Sequence, residues 1–503
     1  MSYSNFLFAR AWLPILASIA ALSGCEALKA DTGSDDGDDS GASNSGASGT
    51  GNTGQGGSAI TGGAFSGGTS GTGAASGGSA AVGQGGSNGG TGTGGAGPQG
   101  GTSAGGTFPN GGSGAAPQGG SGGAAPVPGP PYRFPQGYRS TRCTYPTGAN
   151  YELARTAYNR WKTELVTSEG AGGFLRVRRP ANEGDTTVSE GIGYGMIFAV
   201  VMDDQAMFDA FWKYSQLHLN QNGLMNWKVN PDGQVPMDGM GAATDADEDM
   251  AWALILADKK WGGGGTLGMP YLDVAKSQID KIWNHEVDHG RGELLVAGDS
   301  WGATVAHNPS YFAPNQYRRF GIVTGKVAEW NRVIEKNYAM LASTLTTALG
   351  NASNGLVPAW TDDAGRPASP FMGAPQHYQY DSARMPFRIA QDWCDYGDER
   401  AKAYLDKTTS FFSGIGASMI VDGYNLDGMA RPENPLPAQS ALFVGGAGVG
   451  AMSSAGHQAF VNDVYGLLTT KDMFPPSYYF NMCWQVFSLL MMTGNLYDYH
   501  LVP

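Results

Sequence analysis

The composition of the first 130 residues sets the tightest limit on what this chain can fold into. About half of the chain's 79 glycines lie before Pro130, and residues 26–130 consist mostly of Gly, Ser, Thr, Ala and Pro with almost no large apolar side chains. Such a segment buries too little surface to offset the conformational entropy that folding costs. We therefore expect residues 26–130 to form a disordered linker that spans roughly 60 Å from end to end. The folded part is then confined to residues 131–503.

Residues 1–25 are typical of a secretory signal. One cation, Arg10, precedes the apolar residues 11–22, and small residues then lead directly into Cys25. This order resembles the cleavage site of bacterial lipoproteins, and the apolar stretch is short for a transmembrane helix. We expect a lipidated Cys25 to hold the protein at a membrane of the cell envelope, at the outer surface or the periplasmic face. An ordinary signal peptide of a secreted protein, with an incidental cysteine, is the alternative.

The part after the linker is rich in Trp, Tyr, Phe and Met and is long enough for one large core. The formal net charge of the chain is −13, so nothing indicates the basic face that a nucleic-acid partner requires. Besides Cys25 the chain has Cys143, Cys394 and Cys483, and none of them forms a CxxC pair, which excludes a zinc ribbon. One disulfide and one free thiol fit an oxidising compartment, and the sequence leaves the pairing open. We expect a monomer without a cofactor.

The hydrophobic pattern from Tyr151 onward is helical almost throughout, with apolar residues three and four positions apart. About twelve such segments are separated by loops rich in Gly, Pro, Asn and Asp. They begin near Tyr151, Glu190, Gln205, Ala246, Tyr271, Tyr311, Lys326, Arg384, Glu399, Ala438, His457 and Tyr478. Twelve helices in one domain suggest helix pairs arranged around a ring. Periodicity alone does not distinguish this arrangement from an irregular helical domain.

Three acidic clusters share one position, since each lies at the start of an apolar helical segment, directly after a loop. They are SEGIGYGM at residues 189–196, ATDADED at 243–249 and YDSARMPFR at 380–388. If these helices run parallel as the inner wall of a ring, their carboxylates collect at one rim. Acidic residues at helix starts are also ordinary caps. Glycines after Glu190, which allow close approach, and two arginines after Asp381 favour a functional role.

Longer blocks around these acids are similar to the hallmarks of glycoside hydrolase family 8. Residues 243–257, ATDADEDMAWALILA, followed by Trp261, resemble the signature block of that family. The blocks at 189–196 and 380–386 resemble its other two hallmarks in the same order, and NPSYF at 308–312 also matches. The resemblance covers most of the chain after the linker. It implies an all-α fold, an (α/α)6 barrel of six inner and six outer helices, with an acidic cleft across the N-terminal ends of the inner helices.

The resemblance also implies the roles of the acids. Glu190 would be the general acid and Asp381 the general base, which needs two carboxyl groups with separated pKa values. We expect the charge of Asp245 to keep Glu190 protonated, and Arg384 with a helix N-terminus to keep Asp381 ionised. Asp245 would bind hydroxyls of the sugar in the cleft and favour the distorted form of its ring. The alternative that Asp245 is the general base stays open. Attack by a water activated by Asp381 would invert the anomeric carbon, with carboxyl groups roughly 6.5–9.5 Å apart.

Flat aromatic faces hold the sugar rings of long polysaccharides, and polar groups orient the hydroxyls. Trp227 and Trp301 match aromatic positions that line the cleft of the resembled family, and Tyr311 and Tyr380 are weaker candidates. Together with Arg384 these residues form the predicted substrate-binding set.

A rival motif is HEVDH at residues 285–289, which matches the HExxH pattern of zinc peptidases; Gly292 extends it toward the longer metzincin form. The longer form needs a third histidine where this chain has Leu295. Gly290 follows the second histidine and tends to end the helix that must present both ligands. The other histidines are scattered singly, so we expect no metal.

The substrate is a polysaccharide if the resemblance holds, because the family contains enzymes for cellulose, mixed-linkage β-glucan, chitosan and xylan. Asp381 fits the subgroup with many cellulases, and the xylan-acting members usually depart from the ATDAD block. We therefore expect an endo-acting inverting hydrolase of β-1,4-glucosidic bonds in cellulose or a related β-glucan. An endo-β-1,4-xylanase or a chitosanase is the alternative. A further alternative is a catalytically inactive carbohydrate-binding surface lipoprotein. The presence of both Glu190 and Asp381 argues against it.

Overall fold

The structure of the protein is a computed structural model. It describes residues 132–502 apart from residues 136, 301–305, 371–375, 435–437 and 476. The predictions for the signal segment, the linker, Cys25 and Trp301 therefore lie outside the described residues.

Twelve long helices in the described part of the chain alternate between an outer and an inner position. The outer helices are α1 (Tyr151–Leu165), α3 (Gln205–Gln216), α5 (Tyr271–His285), α7 (Val327–Ser343), α10 (Glu399–Ile415) and α12 (Gln458–Thr470). The inner helices are α2 (Ser189–Val201), α4 (Thr244–Trp261), α6 (Pro314–Thr324), α9 (Met385–Tyr396), α11 (Ala441–Ala451) and α13 (Tyr478–Met492). A short turn of helix, α8 (Tyr380–Ala383), leads directly into α9.

The inner helices form a closed ring. Each packs against the next in chain order, from α2 and α4 to α11 and α13. Aromatic contacts close the ring between α13 and α2, where the ring of Phe487 lies 4.9 Å from that of Tyr194 and 4.6 Å from that of Phe198. Every outer helix packs against the inner ring. The predicted (α/α)6 barrel of six inner and six outer helices is confirmed.

Inner and outer helices differ in how much of their circumference is apolar. All residues of α2 and of α11 are buried, which suits a helix that is hydrophobic all round. The outer helix α1, in contrast, buries a single stripe. Its buried residues are Ala154, Ala157, Tyr158, Trp161 and Leu165. The spacing of that stripe is the amphipathic signal by which the sequence predicts an outer helix. Inner helices that are apolar on all sides lack this signal and are recognised by their length and flanking loops.

Capping residues fix where several helices begin. The side chain of Asn150 accepts a hydrogen bond from the backbone of Glu152 at the start of α1, and that of Asp204 accepts from Met207 at the start of α3. Such caps satisfy backbone N–H groups that have no partner within the helix. Each of the twelve predicted helix starts lies within three residues of an observed one.

In the loops that the structure describes, six two-residue strands form three antiparallel pairs. They are β1 (Val166–Thr167) with β2 (Arg176–Val177), β3 (Thr187–Val188) with β4 (Lys228–Val229), and β5 (Val287–Asp288) with β6 (Leu294–Leu295). The second pair matters for the site, because its hydrogen bonding continues from Ser189 N–H to the carbonyl of Trp227 at 2.8 Å. This pairing fixes the chain immediately before Glu190.

A disulfide resolves the cysteine pairing that the sequence left open. Cys143 and Cys394 are bonded and tie the segment before α1 to α9. Cys483 is a buried thiol on α13 and accepts a hydrogen bond from the indole of Trp161 at 3.3 Å. Among the helices of the described residues, none combines the length and the apolar character needed to cross a membrane.

Candidate active site

The three acids singled out in the sequence occupy equivalent places in the barrel. Glu190 is the second residue of α2, Asp245 the second of α4 and Asp381 the second of α8. Their exposed fractions are 7%, 1% and 3%, respectively, so each carboxyl group is largely removed from water. The loops deliver them to one rim, as the contacts of Arg384 show.

One guanidinium group binds all three carboxylates. Arg384 donates from Nη1 to Glu190 Oε2 at 2.9 Å and to Asp245 Oδ2 at 2.7 Å, and from Nη2 to Asp381 Oδ1 at 3.0 Å. The predicted collection of the acids at one rim is therefore what the structure shows. Arg384 was predicted to bind substrate; here it is 1% exposed and links the acids, so direct contact with a sugar stays a prediction.

Aromatic rings hold the guanidinium in this position. Its central carbon lies 5.1 Å from the centre of the Tyr311 ring and 5.9 Å from that of Phe480. Both distances are within the range of cation–π attraction. The one positive charge of Arg384 is shared by three buried carboxyl groups, so excess negative charge would surround it if all three ionised, which favours a proton on one of them.

Glu190 is the acid whose pKa rises to near neutrality. The pKa of Glu190 is raised to about 7, with burial as the largest cause and the charges of Asp245 and Asp381 as smaller causes in the same direction. Arg384 and the hydroxyl of Tyr479, which donates to Oε1 at 3.0 Å, lower it. The charge of Asp245 was predicted to be the cause, and burial proves to be the larger one. At neutral pH the group is poised between its two protonation states, as a general acid requires.

The expected electrostatics of Asp381 need a correction. Burial raises the pKa of Asp381 above its ordinary value, although Arg384 and Gln379 oppose this shift, the latter donating to Oδ2 at 2.9 Å. The polar side chains of Asn308 and Trp360 lower the pKa as well. Burial outweighs the ion pair, which the sequence could not show. The asymmetry with Glu190 lies in the neighbours, because nearby acids raise the pKa of Glu190 whereas hydrogen-bond donors surround Asp381.

Asp245 has both oxygens engaged. Oδ2 accepts from Arg384, and Oδ1 accepts from the backbone N–H of Ala246 at 2.9 Å. Burial raises the pKa of Asp245, whereas Arg384 and Arg388 lower it. Contact of Asp245 with sugar hydroxyls stays a prediction.

A second ion pair lies one helical turn deeper in the barrel. Arg388 donates from Nη1 to Asp249 Oδ1 at 2.6 Å and from Nη2 to Oδ2 at 2.7 Å, and Gln316 adds a bond at 2.7 Å. Four residues separate both Arg384 from Arg388 and Asp245 from Asp249, so each pair of residues shares one helix face. The two ion pairs join α9 and its N-cap residue Arg384 to α4, and the pair of Arg388 with Asp249 lies beneath the acids.

The glycines after Glu190 make room for neighbouring helices. A Cβ on Gly191 would lie 3.0 Å from the hydroxyl of Tyr479, and one on Gly195 would lie 2.8 Å from the ring of Phe211. A Cβ on Gly193 would lie 3.0 Å from the Cβ of Asp249. The sequence predicted that backbone or substrate would approach these glycines. In the structure the nearest groups are side chains of α13, α4 and α3, with the backbone carbonyl of Ala246 beside Gly193, and approach by substrate stays a prediction.

The predicted sugar-stacking aromatics are buried where the structure describes them. Trp227 and Tyr311 are each 1% exposed and Tyr380 is 2% exposed, so none presents an open ring face. Tyr311 packs against Arg384, and the hydroxyl of Tyr380 donates to Asp422 at 3.1 Å. These contacts pack Tyr311 and Tyr380 into the protein around the acids. Sugar stacking by the predicted aromatic residues stays a prediction.

The HExxH match lacks the geometry of a zinc peptidase. His285 is the last residue of α5, Val287–Asp288 is β5, and His289 begins a separate turn, so the histidines share no helix face. Glu286 is fully buried while both histidines are exposed. Over the described residues, no group of three or more His, Cys, Asp or Glu side chains is arranged to hold a metal ion.

Comparison with known proteins decides the family. Residues 141–494 match the model of glycosyl hydrolases family 8. The chain belongs to glycoside hydrolase family 8. A related member, endoglucanase A of Acetivibrio thermocellus, is 40% identical over 347 residues, which are 68% of this chain and 69% of that protein. Endoglucanase C of Ruminiclostridium cellulolyticum is 38% identical over 356 residues, 70% of this chain and 74% of that protein.

A solved structure of the family agrees with the fold described above. The β-1,3-1,4-glucanase from Paenibacillus sp. X4, in its apo form, is 31% identical to this chain. Its TM-score is 0.66, over 73% of this chain and 100% of that one.

The family blocks did not reveal every residue of the site. The contact between Tyr479 and Glu190 joins positions 289 residues apart, and no local pattern links them. A usable signal does exist, because Tyr479 is the second residue of inner helix α13, just as Glu190 is of α2 and Asp245 of α4. In this family 8 barrel, the second residue of an inner helix is therefore a place to look for site residues.

Proposed function

We propose that the protein is an endo-acting, inverting glycoside hydrolase that cleaves β-1,4-glucosidic bonds in cellulose or a related β-glucan. The observation that carries this proposal is the set of three buried acids on Arg384, with the pKa of Glu190 raised to about 7. The identity of 40% and 38% to two endoglucanases supports the glucan specificity.

Glu190 donates the proton that the leaving group needs. With a pKa of about 7, the carboxyl group is largely protonated in mildly acidic solution. It gives this proton to the glycosidic oxygen as the bond from that oxygen to the anomeric carbon breaks. The electron pair of the bond stays on the departing oxygen, which leaves as a hydroxyl group. The carboxylate that forms is stabilised at once by Arg384.

Asp381 activates the attacking water. Arg384 and Gln379 bind its carboxylate and orient it, and they favour the ionised form that accepts a proton. The water attacks the anomeric carbon from the face opposite the leaving group and gives its proton to Asp381. One displacement of this kind inverts the anomeric configuration. Asp245 binds Arg384 and so holds it between Glu190 and Asp381. It also binds the sugar hydroxyls next to these two acids.

A panel of four polysaccharides tests the specificity. Carboxymethyl cellulose, barley β-glucan, xylan and chitosan are assayed for new reducing ends with the wild-type protein and with Glu190→Gln as the inactive control. We expect the fastest release from one of the two glucans, with an early fall in viscosity because the cuts are internal. Fastest release from xylan or chitosan would overturn the glucan assignment. Binding to the polysaccharides without release from any of them would favour the inactive carbohydrate-binding alternative.

We also propose that the protein is a lipoprotein of the cell envelope, anchored through Cys25 and held away from the membrane by residues 26–130. The apolar residues 11–22 and the small residues before Cys25 support this proposal. Cys25→Ala should move the protein from the membrane fraction to the soluble fraction, because the acyl chains have no attachment site. A wild-type protein that is already soluble, with its mature N-terminus at another residue, would contradict the anchor.

A further inference from the structure

Both oxygens of Glu190 already have a hydrogen-bond partner in the free protein. Arg384 Nη1 lies 2.9 Å from Oε2, and the hydroxyl of Tyr479 lies 3.0 Å from Oε1. The two partners differ in chemistry. A guanidinium group only donates hydrogen bonds, whereas a phenol hydroxyl both donates and accepts them.

This difference decides which oxygen carries the proton of a neutral Glu190. A proton on Oε2 would face an N–H of Arg384, which has no lone pair to accept it. A proton on Oε1 faces the hydroxyl oxygen of Tyr479, which accepts it. Oε1 is therefore the oxygen that bears the proton in the free protein.

We propose that Tyr479 is a positioning residue that keeps the proton of Glu190 on Oε1 and so selects the oxygen that protonates the leaving group. The inference rests on the proposed function, in which Glu190 is the general acid. As the proton moves from Oε1 to the glycosidic oxygen, the bond between the glycosidic oxygen and the anomeric carbon breaks. Its electron pair stays on the glycosidic oxygen. The hydroxyl of Tyr479 then turns from acceptor to donor and stabilises the new carboxylate.

The surroundings of Tyr479 fix its hydroxyl for this task. Tyr479 is 2% exposed and lies in the first turn of α13. Glu183 holds that turn, because its carboxylate accepts from the backbone of Tyr478 at 2.8 Å and from the hydroxyl of Ser477 at 3.2 Å. The missing side chain of Gly191 leaves the space that the phenol ring fills. Burial also raises the pKa of Tyr479 well above its ordinary value, so the phenol stays neutral.

The test is Tyr479→Phe, which removes only the hydroxyl. We expect kcat on barley β-glucan to fall about tenfold, with KM within about twofold, because the hydrogen bond matters most when Glu190 becomes charged. The basic limb of the profile of kcat/KM against pH should move upward by about one pH unit, because the hydrogen bond that ionised Glu190 loses is charge-assisted and stronger than the neutral one that protonated Glu190 loses. A merely structural role would lower activity or stability without moving that limb.

Tyr404→Phe is the matched control. Tyr404 is 3% exposed on α10, and its hydroxyl has no hydrogen-bond partner among the described residues. This variant should keep the wild-type kcat and the wild-type basic limb. If Tyr479→Phe fails to fold, Gly191→Ala replaces it, because the added Cβ would lie 3.0 Å from the hydroxyl of Tyr479 and push that hydroxyl by a few tenths of an ångström. We expect an upward shift of the basic limb in that variant as well.

The outcomes separate this inference from the function on which it rests. If the wild-type protein and Tyr404→Phe hydrolyse β-glucan and the variant at Tyr479 keeps the wild-type basic limb, the role of Tyr479 is wrong and the function stands. If Gly191→Ala is the variant used, an unmoved limb has the same meaning. If the wild-type protein releases no reducing ends from any β-glucan, the proposed function itself fails.

Discussion

Arg388 forms a two-point ion pair with Asp249, with N–O distances of 2.6 and 2.7 Å, one turn beneath the pair of Arg384 and Asp245. Both pairs connect to helix α4, one from Arg388 within helix α9 and the other from Arg384, the N-cap residue of that helix. The deeper pair is buried on both sides, since the side chain of Arg388 is 4% exposed and that of Asp249 is fully buried. It therefore supports the orientation of Arg384, which in turn gathers the three acids.

Arg388→Met should destabilise the fold strongly, because it leaves the carboxylate of Asp249 buried without its cation. Removing one partner of a buried pair costs about 3–5 kcal/mol of unfolding free energy. Arg332→Met, at a side chain that is 52% exposed, is the surface control and should stay within about 0.5 kcal/mol of wild type. Urea unfolding followed by circular dichroism measures both. The double variant Arg388→Met with Asp249→Leu should recover part of the loss, and equal stabilities of Arg388→Met and the surface control would contradict the pairing argument.

The pH dependence of hydrolysis follows from the raised pKa of Glu190. In the proposed mechanism Glu190 must be protonated to act as the general acid, and its pKa of about 7 means that kcat/KM should fall about tenfold per pH unit above about 7. On the acidic side, Asp381 must be ionised, and its raised pKa places that limb above the ordinary range of an aspartate. Initial rates on soluble β-glucan over a pH series measure both limbs. Rates that stay constant well above neutral pH would be incompatible with Glu190 as the acid.

Substitution of the acids by their amides separates their roles. Glu190→Gln should lower kcat by about 10²–10⁴-fold because the leaving oxygen goes unprotonated, and Asp381→Asn by a similar factor because the water goes unactivated. Thermal unfolding and binding of a β-glucan oligosaccharide to each variant check that the fold and the cleft persist. If Asp381→Asn kept near wild-type activity, Asp245 would become the base in its place.

The sequence predicted the helices and the collected acids for a simple reason. Loop residues and apolar periodicity are local, and the twelve predicted starts fall within three residues of the observed ones. The acids at positions 190, 245 and 381 each follow a loop into an inner helix, so a parallel ring brings them together without knowledge of any contact.

The missing parts of the prediction depend on distant contacts. Tyr479 reaches Glu190 from the last inner helix, and only the closed ring brings the two together. The pKa of Asp381 depends on how completely the barrel excludes water, which composition does not reveal. The same holds for Trp227 and Tyr311, whose burial depends on the loops packed around them.

The stereochemistry of the first product tests the central claim most directly. In the proposed mechanism, a water activated by Asp381 attacks opposite the bond that Glu190 protonates, so hydrolysis of a β-linked glucan first releases an α-configured reducing end. Proton NMR of an early digest of soluble barley β-glucan distinguishes the two anomers before mutarotation mixes them. The α-anomeric signal should appear first and the β signal should grow in at the rate of mutarotation. A β-anomer released first would contradict the inverting mechanism and the roles assigned to both acids.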